Sequence, residues 1–128
     1  MYELMVRRAF VAQHFLTVPD AGRENAWHSH HFTAEILLEG RMLNAYGYLV
    51  DIVNLREALD ALVQRYRDQT LNKLPEFAGL NPSLEHFARI LCDAMVGQLD
   101  HERLERLTVR LWEDDVARVS FSRSFNPS

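Results

Sequence analysis

In residues 2–15, "YELMVRRAFVAQHF", apolar side chains recur at every second position. Tyr2, Leu4, Val6, Phe10 and Ala12 share one face, which Arg8 interrupts and His14 closes. A period of two predicts a half-buried strand. "TVPDAGREN" follows, a loop marked by Pro19 and Gly22. Alternation then resumes over residues 28–39. The even positions His28, His30, Phe32, Ala34, Ile36 and Leu38 form an apolar face that begins in two histidines. Ser29, His31, Thr33, Glu35 and Glu39 lie on the other face. Over residues 54–66 the period lengthens. Leu55, Leu59, Leu62, Val63 and Tyr66 mark one stripe of an amphipathic helix. A second stripe, Leu84, Phe87, Ala88, Leu91, Met95 and Leu99, predicts another helix, with Asn81 as N-cap and Pro82 at its first position. Period two returns with Leu107, Val109 and Leu111 against Thr108, Arg110 and Trp112. "EDD" at 113–115 turns the chain into a last strand through Ala117, Val119 and Phe121. The order β-β-α-α-β-β predicts an α+β fold: an antiparallel four-stranded sheet with two helices on one face.

Composition narrows the function classes. The chain has 128 residues, a length that fits one domain spanning 1–128. A formal net charge of −4, with both signs well mixed, gives no basic footprint for nucleic acid. The apolar runs fall short of a membrane span. "MYELMVRRAF" carries charges where a signal peptide needs an apolar core, so the expected location is the cytoplasm. Cys92 is the single cysteine and lies in the second helical stripe, where a buried structural thiol is expected.

The candidate chemistry lies on the core face. His28 and His30, two apart on one strand, leave it on the same side. His14 ends the apolar face of the preceding strand. If the two strands pair as a hairpin, the three imidazoles converge. Three neutral imidazoles with an open fourth position form a catalytic zinc arrangement. "HSH" alone is weak, since the chain has six histidines and the spacing arises readily by chance. His14 on a matching face strengthens it. His31 points the other way, and His86 and His101 read as helix-surface and loop residues. Glu113 follows Leu107, Val109 and Leu111 in phase, which puts a carboxylate at the inward end of a strand. It either turns into solvent or receives an amidine-like ligand edge through paired hydrogen bonds.

Taken together, "FVAQHF", "HSHHF", "YLVDIVNLREAL", "LNKLPEFAGLNPSLEHFA" and "VRLWED" resemble, in order, the 6-pyruvoyl-tetrahydropterin and 6-carboxy-tetrahydropterin synthase family. The resemblance runs from about residue 2 to residue 122. It implies the tunnelling fold, in which three four-stranded subunits close a barrel and two trimers stack into a homohexamer. It implies a zinc ion on His14, His28 and His30, with Ser29 in place of the family's glycine. It implies a small-molecule pterin as ligand, anchored by Glu113, with Glu85 of "NPSLE" contributed across a subunit boundary. The proton relay departs from the family. Where its enzymes carry a cysteine four residues before the histidine pair, this chain has Glu24. Where they carry an Asp-His pair, alignment on Leu71 and Asn72 places Arg67 and Asp68. One family branch uses a glutamate three residues before the histidine pair to cleave the side chain of dihydroneopterin triphosphate in an aldolase-like step. The resemblance therefore implies a zinc-dependent lyase on a dihydropterin, with Glu24 as base and Arg67 and Asp68 at the remaining relay positions. The altered relay also admits, as the alternative, a protein that binds a pterin or purine-like ligand without turnover. A metal-free interaction protein is the third reading, and it needs the three histidines to be plain core residues.

Overall fold

The computed structural model describes residues 1–125. Its strands are β1 (Tyr2–His14), β2 (His28–Gly40), β3 (Arg106–Glu113) and β4 (Ala117–Ser124), and its helices are α1 (Ile52–Tyr66) and α2 (Leu84–Gln98). The strands form one antiparallel sheet in the order β1-β2-β3-β4. The even positions of β1 and β2 and the odd positions of β3 face the helices. Ala12, Phe32, Ile36, Leu38, Leu107, Val109 and Leu111 are all buried there. Leu55, Leu59 and Tyr66 of α1 and Phe87, Leu91 and Met95 of α2 close over them. Phe87 sits at the centre of an aromatic cluster, with ring centroids 5.3 Å from Phe32, 5.1 Å from Tyr66 and 5.6 Å from Phe77. Arg8, the polar interruption of β1, reaches out of this core, and its Nε donates to Asp60 of α1 at 2.7 Å.

The predicted start of the second helix is corrected. Ser83, not Asn81, is the N-cap; its hydroxyl accepts from the His86 backbone N–H at 3.1 Å. Pro82 therefore lies outside the helix. The reason is competition for Asn81, whose side-chain oxygen accepts from the Thr17 backbone N–H at 2.8 Å. The later start leaves the Pro82 carbonyl unused by the helix and free to face β1. The sheet face away from the helices mixes apolar residues such as Met5 and Leu37 with ion pairs, as with Arg106, which donates through two nitrogens to Glu39 at 2.8 Å each. Among the described residues no helix is long and apolar enough to cross a membrane.

A candidate metal centre at the end of the first hairpin

The β1–β2 register runs without slippage from Tyr2↔Gly40 to His14↔His28. Alternation had placed three histidines on inward faces; pairing places them together. His14 lies directly opposite His28, and His30 lies opposite Ala12, whose short side chain leaves room for a ring. The ring centroids of His14, His28 and His30 stand 4.6 to 5.0 Å apart.

Each ring is oriented through its Nδ1. His14 Nδ1 donates to the Pro82 carbonyl at 3.1 Å, and His28 Nδ1 to the Ala26 carbonyl at 2.6 Å. His30 Nδ1 donates to the Asp114 carboxylate. A carbonyl and an ionised carboxylate only accept, so all three protons reside on Nδ1 and every Nε2 presents a lone pair. The three Nε2 atoms are buried and without a hydrogen-bond partner. Three converging lone pairs repel one another, and burial of such groups without partners is costly. A cation at their focus relieves both penalties. Protonation of His14 is opposed: desolvation, together with His28 and His30, lowers its pKa from 6.5 to about 4.

Glu24 stands beside the three rings. A short 3₁₀ turn, Gly22–Asn25, carries it. Asn25 holds this turn in place: its amide donates to the carbonyls of Leu16 and Val18 at 2.9 and 2.8 Å, while its oxygen accepts from Ala21 N–H. One Glu24 carboxylate oxygen thereby stands 2.7 Å from His28 Nε2 and 3.6 Å from His30 Nε2. One ligand atom from each of His14, Glu24, His28 and His30 falls within 4.8 Å of all the others. Three converging histidine nitrogens are a donor set suited to zinc, with the Glu24 carboxylate beside the open position, so the residues fit the ion that the resemblance implied.

Asp114 is the residue that sequence reasoning missed, having read it only as part of the turn after Glu113. Its backbone lies in the left-handed region, at φ 51°, which aspartate tolerates better than most residues. That conformation lets one carboxylate oxygen meet His30 Nδ1 while the other accepts from the His31 backbone N–H at 2.8 Å. Burial pushes the Asp114 pKa up, but the bonds from His31 and His30 outweigh it and hold the group below the ordinary value. A carboxylate behind a histidine ligand fixes the tautomer and raises the basicity of the ring. The available signal was an acidic residue directly after the inward Glu113, at a tight hairpin.

Glu113 ends β3 beside the cluster, with one oxygen 3.2 Å from His30 Nε2. Desolvation raises its pKa. Glu113, Glu24, Glu85 and His14 line one cavity of about 420 Å³. Glu85 lines that cavity from its own chain. Arg67 and Asp68 do not join the cluster. They are exposed at the outer edge of β1 and line a different cavity with His31, Ala9 and Val11. The Asp68 N–H donates to the Val11 carbonyl at 2.7 Å, which holds this segment along the strand. Cys92 is buried in α2 as expected, and desolvation pushes its thiol up to about 11.

Comparison with known proteins agrees with this architecture. The family model described as 6-pyruvoyl tetrahydropterin synthase matches residues 3–124. The dihydroneopterin monophosphate aldolase of Pyrococcus furiosus is 27% identical over 114 residues, covering 86% of this chain and 88% of that protein. Among solved structures, the 6-pyruvoyl tetrahydropterin synthase of Plasmodium vivax aligns with a TM-score of 0.82 at 14% identity, over 97% of this chain and 98% of that one. A variant of the same protein, described as a catalytic residue mutant in which glutamate becomes alanine, aligns at 0.80, with the same identity and coverage. The Caenorhabditis elegans 6-pyruvoyl tetrahydropterin synthase aligns at 0.75 with 18% identity, over 98% of each chain. With the antiparallel sheet, its two covering helices and a match over nearly the whole chain, this protein belongs to the 6-pyruvoyl tetrahydropterin synthase family.

Proposed function

We propose that the chain is a zinc-dependent lyase that cleaves the side chain of a phosphorylated dihydroneopterin by an aldolase-type reaction, with Glu24 as the base. One observation carries the proposal: the Glu24 carboxylate stands among three unpartnered histidine Nε2 atoms, in a cavity that Glu113 and Glu85 also line. Two comparisons support it. The curated relative is named an aldolase of dihydroneopterin monophosphate, and a glutamate is described as a catalytic residue in the Plasmodium vivax protein.

His14, His28 and His30 would hold the zinc, which as a Lewis acid makes a hydroxyl group near it easier to deprotonate. Glu113 accepts the paired N–H groups of the pterin's amidine edge, with Glu85 available beside it. Glu24 then takes the proton of the hydroxyl on the second side-chain carbon. The bond between the first and second side-chain carbons breaks, and its electron pair passes into the ring's conjugated C=N bond. The far fragment leaves as an aldehyde. A proton returned to the first carbon, for which protonated Glu24 is the nearest source, completes the hydroxymethyl product.

Arg67 and Asp68 have no contact with this cavity in the chain itself. We place them at a joint between copies: β1 and β4 are the free edges of the sheet, and pairing them closes a trimeric barrel, two of which stack as a hexamer. In this reading the protein works in the cytoplasm. The separation of Arg67 and Asp68 from the cluster is also the observation that favours the second reading, a pterin-binding protein without turnover.

The test is product analysis by mass spectrometry, using zinc-loaded protein with dihydroneopterin monophosphate and triphosphate. The expected products are 6-hydroxymethyl-dihydropterin and a phosphorylated two-carbon aldehyde. Unchanged substrate in a sample shown to hold zinc and to bind pterin overturns the lyase reading in favour of the binding one.

A further inference from the structure

Residues 15–18 lie beyond the last paired position of β1, His14, yet their backbone groups find partners, and asparagine side chains supply most of them. Asn72 clamps Phe15: its oxygen accepts from the Phe15 N–H at 3.0 Å, and its amide donates to the Phe15 carbonyl at 2.8 Å. Asn81 accepts from the Thr17 N–H at 2.8 Å. Both asparagines belong to the segment between α1 and α2, so they fix this stretch to a distant part of the chain. The 3₁₀ turn then hangs on the fixed stretch. Asn25 donates to the carbonyls of Leu16 and Val18, and the Leu16 N–H donates to the backbone carbonyl of Glu24 itself at 2.7 Å. Among the described residues, these are the hydrogen bonds that tie the turn to residues 15–18. The loop needs such ties, because Asp20 and Gly22 hold left-handed backbone at φ 58° and 64°. Sparsely populated conformations persist only where surrounding contacts over-determine them.

We infer that Asn25 locks this loop as a fixed arm, which holds the Glu24 carboxylate at the histidine cluster before any substrate arrives and makes Asn25 a positioning residue for the base. The inference rests on the proposed function and deepens it. Glu24 lines the cavity with His14, Glu85 and Glu113, whereas Asn25 is exposed and does not line it. Any effect of Asn25 on the reaction therefore passes through Glu24. The effect is large for so exposed a residue because proton transfer depends on placement: a displacement of about 1 Å is enough to cost on the order of 10² in rate. The loop acts as a fixed arm and not as a lid, since its bonds are made within the chain alone and do not wait for a ligand.

Two measurements test this. In steady-state kinetics on dihydroneopterin monophosphate with zinc-loaded protein, N25A should lower kcat roughly 10- to 100-fold while KM and zinc affinity stay within about twofold. N25D keeps an acceptor for the Ala21 N–H but loses both donors, and it should behave like N25A. In an E24Q background N25A should cost nothing further, because a residue that works through Glu24 has nothing left to position. An N25A kcat equal to wild type, or a loss that adds in full to that of E24Q, overturns the inference. The second measurement needs no turnover. In amide hydrogen exchange the Leu16 N–H should be protected in wild type and exchange roughly tenfold or more faster in N25A. The His31 N–H, bonded to Asp114, should keep its wild-type rate as the control for fold. A Leu16 amide unprotected in wild type, or unmoved in N25A, overturns the fixed arm. Wild type that turns over no dihydropterin while the exchange pattern holds fails the lyase reading and leaves the arm standing; full activity in N25A does the reverse.

Discussion

Replacing Asp114 by asparagine separates the orientation of His30, a proposed metal ligand, from the ligand itself. Asparagine keeps the size of the side chain and tolerates the left-handed backbone at φ 51°. It cannot keep both hydrogen bonds. Asp114 uses one oxygen on His30 Nδ1–H and the other on the His31 backbone N–H at 2.8 Å. Asparagine offers one acceptor and one amine. If its oxygen stays on His31, its amine confronts His30 Nδ1–H, donor against donor. The ring can relieve that clash only by moving its proton to Nε2, which removes the lone pair directed at the metal. If the amide flips, the conflict passes to the His31 N–H. Either way a charge-assisted bond behind a ligand is lost, and with it the negative charge that favours a bound cation. Loss of such outer partners lowers metal affinity about 10- to 100-fold, equivalent to about 1.4–2.7 kcal/mol. The assay is a zinc competition titration against a chelator of known affinity, with thermal unfolding of the metal-free protein as the control for fold. A D114N affinity within twofold of wild type, on an unchanged fold, would refute the argument that Asp114 sets the His30 tautomer.

Three other outcomes follow from the same structure. E24Q should keep bound zinc, since three histidines remain, but lower turnover of the phosphorylated dihydropterin by roughly 10²- to 10⁴-fold; metal analysis and initial rates on one sample check both halves. F87A empties the aromatic cluster shared with Phe32, Tyr66 and Phe77 and should cost about 3–5 kcal/mol in urea unfolding, and a cost below about 1 kcal/mol would contradict the packing described. Glu76 is held down from 4.5 to about 2, first by its hydrogen bonds from Arg65 and then by that from Tyr66. Its folded pKa is depressed, so its contribution is present above the unfolded value and is lost as pH falls from about 4.5 towards 2. E76Q should therefore lower stability at neutral pH and flatten the acid loss across that window in a series of denaturant melts.

The period of the hydrophobic pattern determined most of the fold. Alternation needs only neighbouring residues, because successive side chains of a strand leave on opposite faces wherever that strand ends up. It therefore put Phe32, Ile36 and Leu38 in the core, and with them His14, His28 and His30 on inward faces. The helical stripes of α1 and α2 were legible for the same reason. Resemblance in five motifs added the family and the expected zinc ligands. Tertiary structure decided what depends on contacts between distant residues. Only pairing set His14 opposite His28, and only the β3–β4 hairpin carried Asp114 back to His30, 84 positions away. The second helix begins at Ser83's cap because Thr17, far away in sequence, had already claimed Asn81. Arg67 and Asp68 align with relay positions but lie along the other edge of β1, a separation that no spacing in the sequence encodes. Local periodicity reports which way a side chain points; it carries no information about what it meets, because a partner's position depends on how the whole chain closes.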